Sequence, residues 1–148
     1  MSSKPTAIIC DLDGTLAIHD GRRPYEYEKC DTDLVNEPVL FVLDALYYSA
    51  ASIDAILFVS GREDSCYALT ERWLKDRCHF IVNGEIRLFM RKSKDYRKDY
   101  VIKEEIYREH IEPDYDVLFC LDDRPSVIRM WLSLGVYVLA AGGGQREF

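Results

Sequence analysis

The residues in this chain whose spacing suggests chemistry are carboxylates. Asp11-Leu12-Asp13-Gly14-Thr15 sets two of them two positions apart, directly after the apolar run Ala7-Ile8-Ile9-Cys10. Asp122-Asp123 follows a second apolar run, Val117-Leu118-Phe119-Cys120-Leu121. If the fold brings these acids together they repel strongly unless a divalent cation neutralises them. An oxygen-only donor set suits Mg2+, which takes few protein carboxylates and keeps water and substrate phosphate in its shell. The same residue types also make an ordinary Asx-turn at a strand end, where Asp, Gly and Thr are common.

The surrounding pattern decides whether these segments meet. Ala7–Cys10, Ile53–Val59, Phe80–Val82, Val117–Leu121 and Val136–Leu139 are short apolar runs that predict buried strands. Between them, Glu37–Ala50, Glu63–Arg77, Asp99–His110 and Ser126–Leu134 carry apolar residues at helical spacing, with Pro38 and Pro125 placed for first turns. Glu85–Arg97 is polar, basic and fits neither period. Alternating strands and helices, with strands apolar on both faces, predict a parallel sheet covered by helices. Asp11, Asp13, Ser60, Asp122 and Asp123 then fall at or just beyond C-terminal strand ends, the edge where open α/β sheets bind ligands.

Composition narrows the function classes. With 148 residues, 48% apolar and 30% charged, the chain is one domain's worth of foldable sequence rather than a disordered or fibrous segment. No apolar stretch reaches the roughly 18 residues of a membrane helix, and the N-terminus lacks a signal-peptide core, so a cytoplasmic protein without membrane contact is expected. The net charge of −7 argues against generic adhesion to polyanions. Yet Arg87–Lys98 holds six of the nineteen basic residues against one acid, an asymmetry that a polyanion site could use or a solvated face could explain. The five cysteines form no C-x-x-C pair and the three histidines have no metal-ligand spacing.

The carboxylate segments carry a resemblance. Asp11-Leu12-Asp13-Gly14-Thr15-Leu16 resembles the first motif of the haloacid-dehalogenase-like phosphotransferases, Ser60 the second, Lys103 the third and Asp122-Asp123 the fourth, in order and on matching elements. Gly21–Tyr25, Glu28–Asp33, Ser60–Glu63, Arg97–Asp99, Lys103–Ile106 and Asp122–Arg124 further resemble the 3′-phosphatase domain of phage T-even polynucleotide kinase-phosphatases. The fold this implies is α/β: a Rossmann-like open, mainly parallel sheet with helices on both faces. One domain over 1–148 is expected, with 16–36 as a minimal cap insertion. No P-loop G-x-x-x-x-G-K-[ST] is present, so the resemblance implies either a free-standing phosphatase or an excised domain, the initial Met1 favouring the former.

The activity implied is Mg2+-dependent removal of 3′-phosphates from DNA or RNA ends, with 2′,3′-cyclic phosphates as a further substrate. Asp11 would be the nucleophile, forming an aspartyl-phosphate, and Asp13 the acid toward the leaving oxygen, then the base toward water. Asp11, Asp13 (through its carbonyl), Asp122 and Asp123 would hold Mg2+. Ser60, Gly61, Arg62 and Arg22 would bind the substrate phosphate, Lys103 would offset charge, and Asp99 would hold Lys103. Tyrosines 25, 27, 47, 48, 96 and 100 could stack bases. A separate kinase or ligase would be the protein partner, and the host-cell cytoplasm the location if phage-encoded. A small-molecule phosphatase of the same superfamily and a non-catalytic docking module are the competing expectations.

Overall fold

The computed structural model describes residues 3–49, 53–81 and 86–144. Its frame is a five-stranded parallel sheet of β1 (Thr6–Cys10), β4 (Ala55–Glu63), β5 (Leu88–Arg91), β6 (Asp116–Asp122) and β7 (Val138–Ala140), in spatial order β5-β4-β1-β6-β7. The chain starts at the central strand, builds outward through β4 and β5, then returns to β6 and β7. β1 is therefore the point from which the strand order runs both ways, and a crevice opens there outside the strand ends.

Period-two alternation divides the sheet between two cores. Ile8, Cys10, Ile56 and Phe58 face α1 (Glu37–Tyr48) and α2 (Tyr67–Arg77), where Leu43, Trp73 and Leu74 are buried. Ala7, Ile9, Leu57, Val59 and Cys120 face α3 (Asp99–Ile106) and α4 (Pro125–Ser133), which bury Ile102, Ile106, Val127 and Trp131. Helices thus cover both faces, as expected. All five cysteines are free and buried, as small apolar residues would be. Among the described residues no helix is long and apolar enough to cross a membrane.

Four local expectations are corrected. β4 does not stop at Val59 but runs through Ser60, Gly61 and Arg62 to Glu63, with a register irregularity against β5 between Ser60 and Glu63. Phe80 and Ile81 form no strand, and Val82 lies outside the described residues. The third parallel strand is instead Leu88–Arg91, inside the stretch that showed no period. It is an edge strand with only Leu88 buried, so it carries little of the alternation that betrays a strand. Finally, α3 ends at Ile106 and widens into a π-type turn, Tyr107–Ile111.

The insertion between β1 and α1 is small: a two-residue antiparallel ribbon, β2 (Ala17–Ile18) with β3 (Leu34–Val35), and a 3-10 turn, Tyr27–Thr32. Trp73 of α2 pins it, donating Nε1–H to the Asp33 carbonyl at 2.8 Å inside the core. Trp73→Phe keeps most of the packing but strands that buried carbonyl, and is expected to cost about 1–3 kcal/mol in urea unfolding. An unchanged midpoint would show that the insertion is held otherwise.

Candidate active site

The alternation that builds the two cores also sorts the polar residues at the strand ends. β1 and β6 pair with Cys10 opposite Leu121, so the next residues, Asp11 and Asp122, leave the sheet side by side. Both project to the α3–α4 side. There Lys103, one residue on from Ile102 on the buried face of α3, meets them: its Nζ donates to Asp11 Oδ1 at 2.7 Å and to Asp122 Oδ2 at 3.0 Å. Lys103 is 1% exposed. Burial works against its charge, yet the Asp11 and Asp122 carboxylates outweigh that and raise its pKa.

The other acceptor atoms here are accounted for with one exception. Asp122 Oδ1 takes the amides of Asp123 and Arg124, and its Oδ2 takes Trp131 Nε1–H at 3.2 Å as well as Lys103. The Thr15 hydroxyl bridges Asp11 Oδ2 at 2.9 Å and Asp123 Oδ1 at 3.1 Å. Asp123 Oδ2 is buried with no hydrogen-bond partner. It lies against Gly14, whose φ of +85° and missing side chain both matter, since a Cβ there would overlap that carboxylate. Burial and the neighbouring Asp122 charge raise the pKa of Asp11, against the pull of Lys103. Asp123 is raised as well, by burial first. Three carboxylates thus face one ammonium.

Asp13 belongs to a separate network. His19 Nε2 lies 3.0 Å from Asp13 Oδ1, and Arg22 Nη2 and Arg62 Nη2 reach the same oxygen at 3.0 and 2.8 Å. Both arginines are buried because a second acid, Asp33, answers them: Arg22 binds it in bidentate fashion at 2.7 and 2.8 Å, and Arg62 Nη2 reaches it at 2.6 Å. Arg62 also donates to Thr70 Oγ1. Burial opposes the Asp13 charge, but the His19 contact and the two guanidinium groups hold its carboxyl well below the usual carboxylate range. One acid at the strand end is pushed toward its neutral form and its neighbour toward the anion, the separation expected of groups with different tasks.

Of the sequence-expected residues, Asp11, Lys103, Asp122 and Asp123 converge, with Asp13 beside them. Arg22 and Arg62, expected on the substrate phosphate, spend their donors on Asp13 and Asp33 and are absent from the wall of the open cleft. Ser60 is fully buried, its Oγ accepting the Arg62 amide at 3.1 Å. Gly61 does line the cleft, on the α3 side of β4, where a Cβ would overlap the Asp99 carboxylate. Asp99 sits 3.3 Å from Arg91, 3.6 Å from Arg124 and 3.8 Å from Lys103, so it serves three cations rather than one. Asp33, Arg91, His19 and Trp131 were not singled out. Asp33 lies within the quoted Glu28–Asp33 motif, but nothing in a single sequence says that it is buried against two arginines.

A carboxylate cluster at the switch point of a parallel α/β sheet stands where open sheets of this kind bind their ligands. The class C acid phosphatase of Bacillus anthracis, solved with and without tungstate, shares the fold at 13% identity, TM-scores 0.59 and 0.58, over 96% of this chain and 69% of that one. Within that fold the chain belongs to the family of polynucleotide kinase PNKP phosphatase domains, whose model matches residues 5–145. Two solved Pnkp1/Rnl/Hen1 complexes, one described as an RNA repair complex, contain a chain 39% identical over 95% of this one, with TM-scores of 0.83 and 0.82. A protein of Autographa californica nuclear polyhedrosis virus, whose assigned name is bifunctional polynucleotide kinase/RNA ligase, is 37% identical over 133 residues, 89% of this chain. The chain spans 18% of that protein and 43–47% of the chains in the complexes. The viral relative belongs to a baculovirus, not to a phage.

Two substitutions test the packing of the site. Asp33→Asn leaves Arg22 and Arg62 buried with one compensating charge fewer, and is expected to cost about 3–5 kcal/mol. Circular dichroism in urea measures it, and wild-type stability would refute the shared-acid network. A lowered carboxylate pKa stabilises the fold above its unfolded value near 3.9, and that contribution drains away as pH falls through the folded value. Asp13→Asn should therefore flatten the acid limb of a stability-versus-pH curve. A limb as steep as the wild type's would contradict the assignment.

Proposed function

We propose that this chain is a Mg2+-dependent polynucleotide 3′-phosphatase working through an aspartyl-phosphate on Asp11. The observation that carries it is the pairing of Asp11 with Lys103 at 2.7 Å beside an Asp13 that takes Arg22 and Arg62, at the floor of an open cleft, in a chain of the PNKP phosphatase family. Asp11 attacks phosphorus in line, and the ester oxygen of the sugar leaves as the bond to it breaks. Lys103 offsets the charge gathered when a carboxylate meets a phosphate.

The donor set fits a hard divalent cation. Asp11, Asp122 and Asp123 offer carboxylate oxygens within 4.8 Å of one another, and of their oxygens Asp123 Oδ2 is buried without a hydrogen-bond partner. Asp11, Asp122 and Asp123 would hold Mg2+, with the Asp13 carbonyl as the further ligand the family resemblance implies. Bound there, the ion supplies charge neutralisation and Lewis acidity toward the phosphate.

Asp13, its carboxyl held toward the anion by His19, Arg22 and Arg62, is placed to serve as the base toward water that cleaves the aspartyl-phosphate. To protonate the leaving oxygen it must first gain a proton, and an incoming phosphate dianion raises its affinity for one. Arg22 and Arg62, held by Asp33, fix the direction in which that carboxylate points. A separate kinase or ligase is the proposed protein partner, on the strength of the relatives named above. The residues described would act as one phosphatase unit, the 16–36 insertion being too small to close over a metabolite.

Phosphate release from a 3′-phosphorylated oligonucleotide should require Mg2+, stop in EDTA and fall more than about 10^4-fold in Asp11→Asn. Release that persists in that variant would refute the mechanism. Hydrolysis confined to small phosphate esters would point to the metabolite phosphatases. Above its raised pKa, the ionised Asp123 destabilises the metal-free protein. Asp123→Asn should thus raise the metal-free Tm at pH 8 by about 2–4 °C, on the order of 1 kcal/mol, while shrinking the Tm gain on adding Mg2+. A lower Tm, or an undiminished Mg2+ shift, would remove Asp123 from the metal site.

A further inference from the structure

The cleft above the carboxylates measures about 1010 Å³, at the top of the roughly 300–1,000 Å³ range of small-molecule sites. Two of its wall residues are tyrosines left largely in water: Tyr25 of the insertion, 74% exposed, and Tyr96 of the loop between β5 and α3, 82% exposed. Tyr100, at the first turn of α3, adds a third ring, 40% exposed. Large aromatic rings displayed together at the mouth of a site need a reason, because burying them would be favourable.

The segments that carry them are braced: beside Tyr25, Arg22 Nη1 donates to the Arg23 and Pro24 carbonyls at 3.2 Å each. Tyr25 leans on Tyr27 in an edge-on contact with ring centroids 6.4 Å apart. On either side of Tyr96 the loop is cross-braced. Arg97 grips Asp95 and Glu105 at 2.7 Å each, Arg91 Nη1 donates to the Asp95 carbonyl at 2.9 Å, and Ser93 donates to Asp64 at 2.8 Å. Arg91 and Arg97, from the segment expected to track a phosphate backbone, are thus spent on holding the loop. The loop presents to the cleft the Tyr96 ring together with Arg91, Asp95, Arg97 and Lys98, the two guanidinium groups being already paired within the loop. An exposed ring on a braced segment offers a large contact area, and every nucleobase has a π-face to stack on it.

We propose that Tyr25 and Tyr96 form a stacking platform for the last bases of a single-stranded polynucleotide, so that the site takes a polymer end in preference to a mononucleotide. This rests on the 3′-phosphatase reading and assigns its substrate recognition to aromatic stacking more than to the basic segment. A duplex end, whose bases already stack on each other, gains nothing from the platform.

The test is phosphate release from 3′-phosphorylated oligothymidylates of one to six nucleotides, with p-nitrophenyl phosphate as the baseless reference. Wild type, Tyr25→Ala, Tyr96→Ala and Tyr96→Phe are compared. In the wild type, kcat/KM is expected to climb over the first two or three nucleotides by about 5- to 150-fold per stacked base. Each Ala variant should lower the ratio of oligonucleotide to p-nitrophenyl phosphate turnover by a similar factor, mainly through KM, and Tyr96→Phe should restore it. A flat length series, with mononucleotide and p-nitrophenyl phosphate both turned over, overturns the platform while leaving the phosphatase chemistry standing. Equal losses on both substrates in the Ala variants make the tyrosines structural and also overturn it. Turnover of p-nitrophenyl phosphate with no release from any oligonucleotide overturns the platform and the polynucleotide reading together.

Discussion

Like charge crowded into a dry place is the constraint around which this molecule is organised. Asp11, Asp33, Asp122 and Asp123 are all at most 5% exposed, with Asp13 half-covered beside them. Left alone, such a group would protonate or unfold the strand ends that carry it, because a buried carboxylate without a partner costs several kcal/mol. Lys103 answers two of these acids from one helix, and Arg22 and Arg62 answer two others from the insertion and from β4. The placement of α3, the reach of β4 and the small insertion bring those three cations to their stations.

The two halves of the charge cluster differ in sign of imbalance. Around Asp11 the acids outnumber the cation, so the site has room for a further positive charge. Around Asp13 and Asp33 the two guanidinium groups match the two carboxylates, so nothing further is called for. That contrast sets the Asp11 cluster, short of positive charge, apart from the Asp13 network, where Arg22 and Arg62 answer the acids with His19 beside them. Both are reached from a single strand end because a two-residue spacing and the turn at Gly14 send Asp11 and Asp13 to different neighbours.

Openness is the second property of the site. The insertion adds a two-residue ribbon and one 3-10 turn, leaving the strand ends facing a wide cleft. Its job is internal as much as external: it delivers Arg22 and Asp33 to the interior and Tyr25 to the rim. The β5–α3 loop mirrors it, with Arg91 and Arg97 used as braces and Tyr96 held outward. A run of basic residues reads as a polyanion surface, but here two of its three guanidinium groups, Arg91 and Arg97, brace the loop.

Much of this was legible without coordinates. The apolar runs at 7–10, 53–59 and 117–121, each ending in a polar residue, specify parallel strands and put Asp11, Ser60 and Asp122 at one edge, because a strand buried on both faces must be continuously apolar and its polar residues can only sit where it emerges. Lys103 was legible through its motif. β5 was not, since an edge strand buries too little to show a period, and the reach of β4 through Arg62 was hidden by a glycine and an arginine that look like a loop. The partners of Arg22 and Arg62 were invisible for a different reason. Sequence spacing governs which residues share a face of one element, but whether an arginine meets a substrate phosphate or a buried Asp33 depends on how the insertion, β4 and α2 pack, and that is decided only by contacts between segments far apart in the chain.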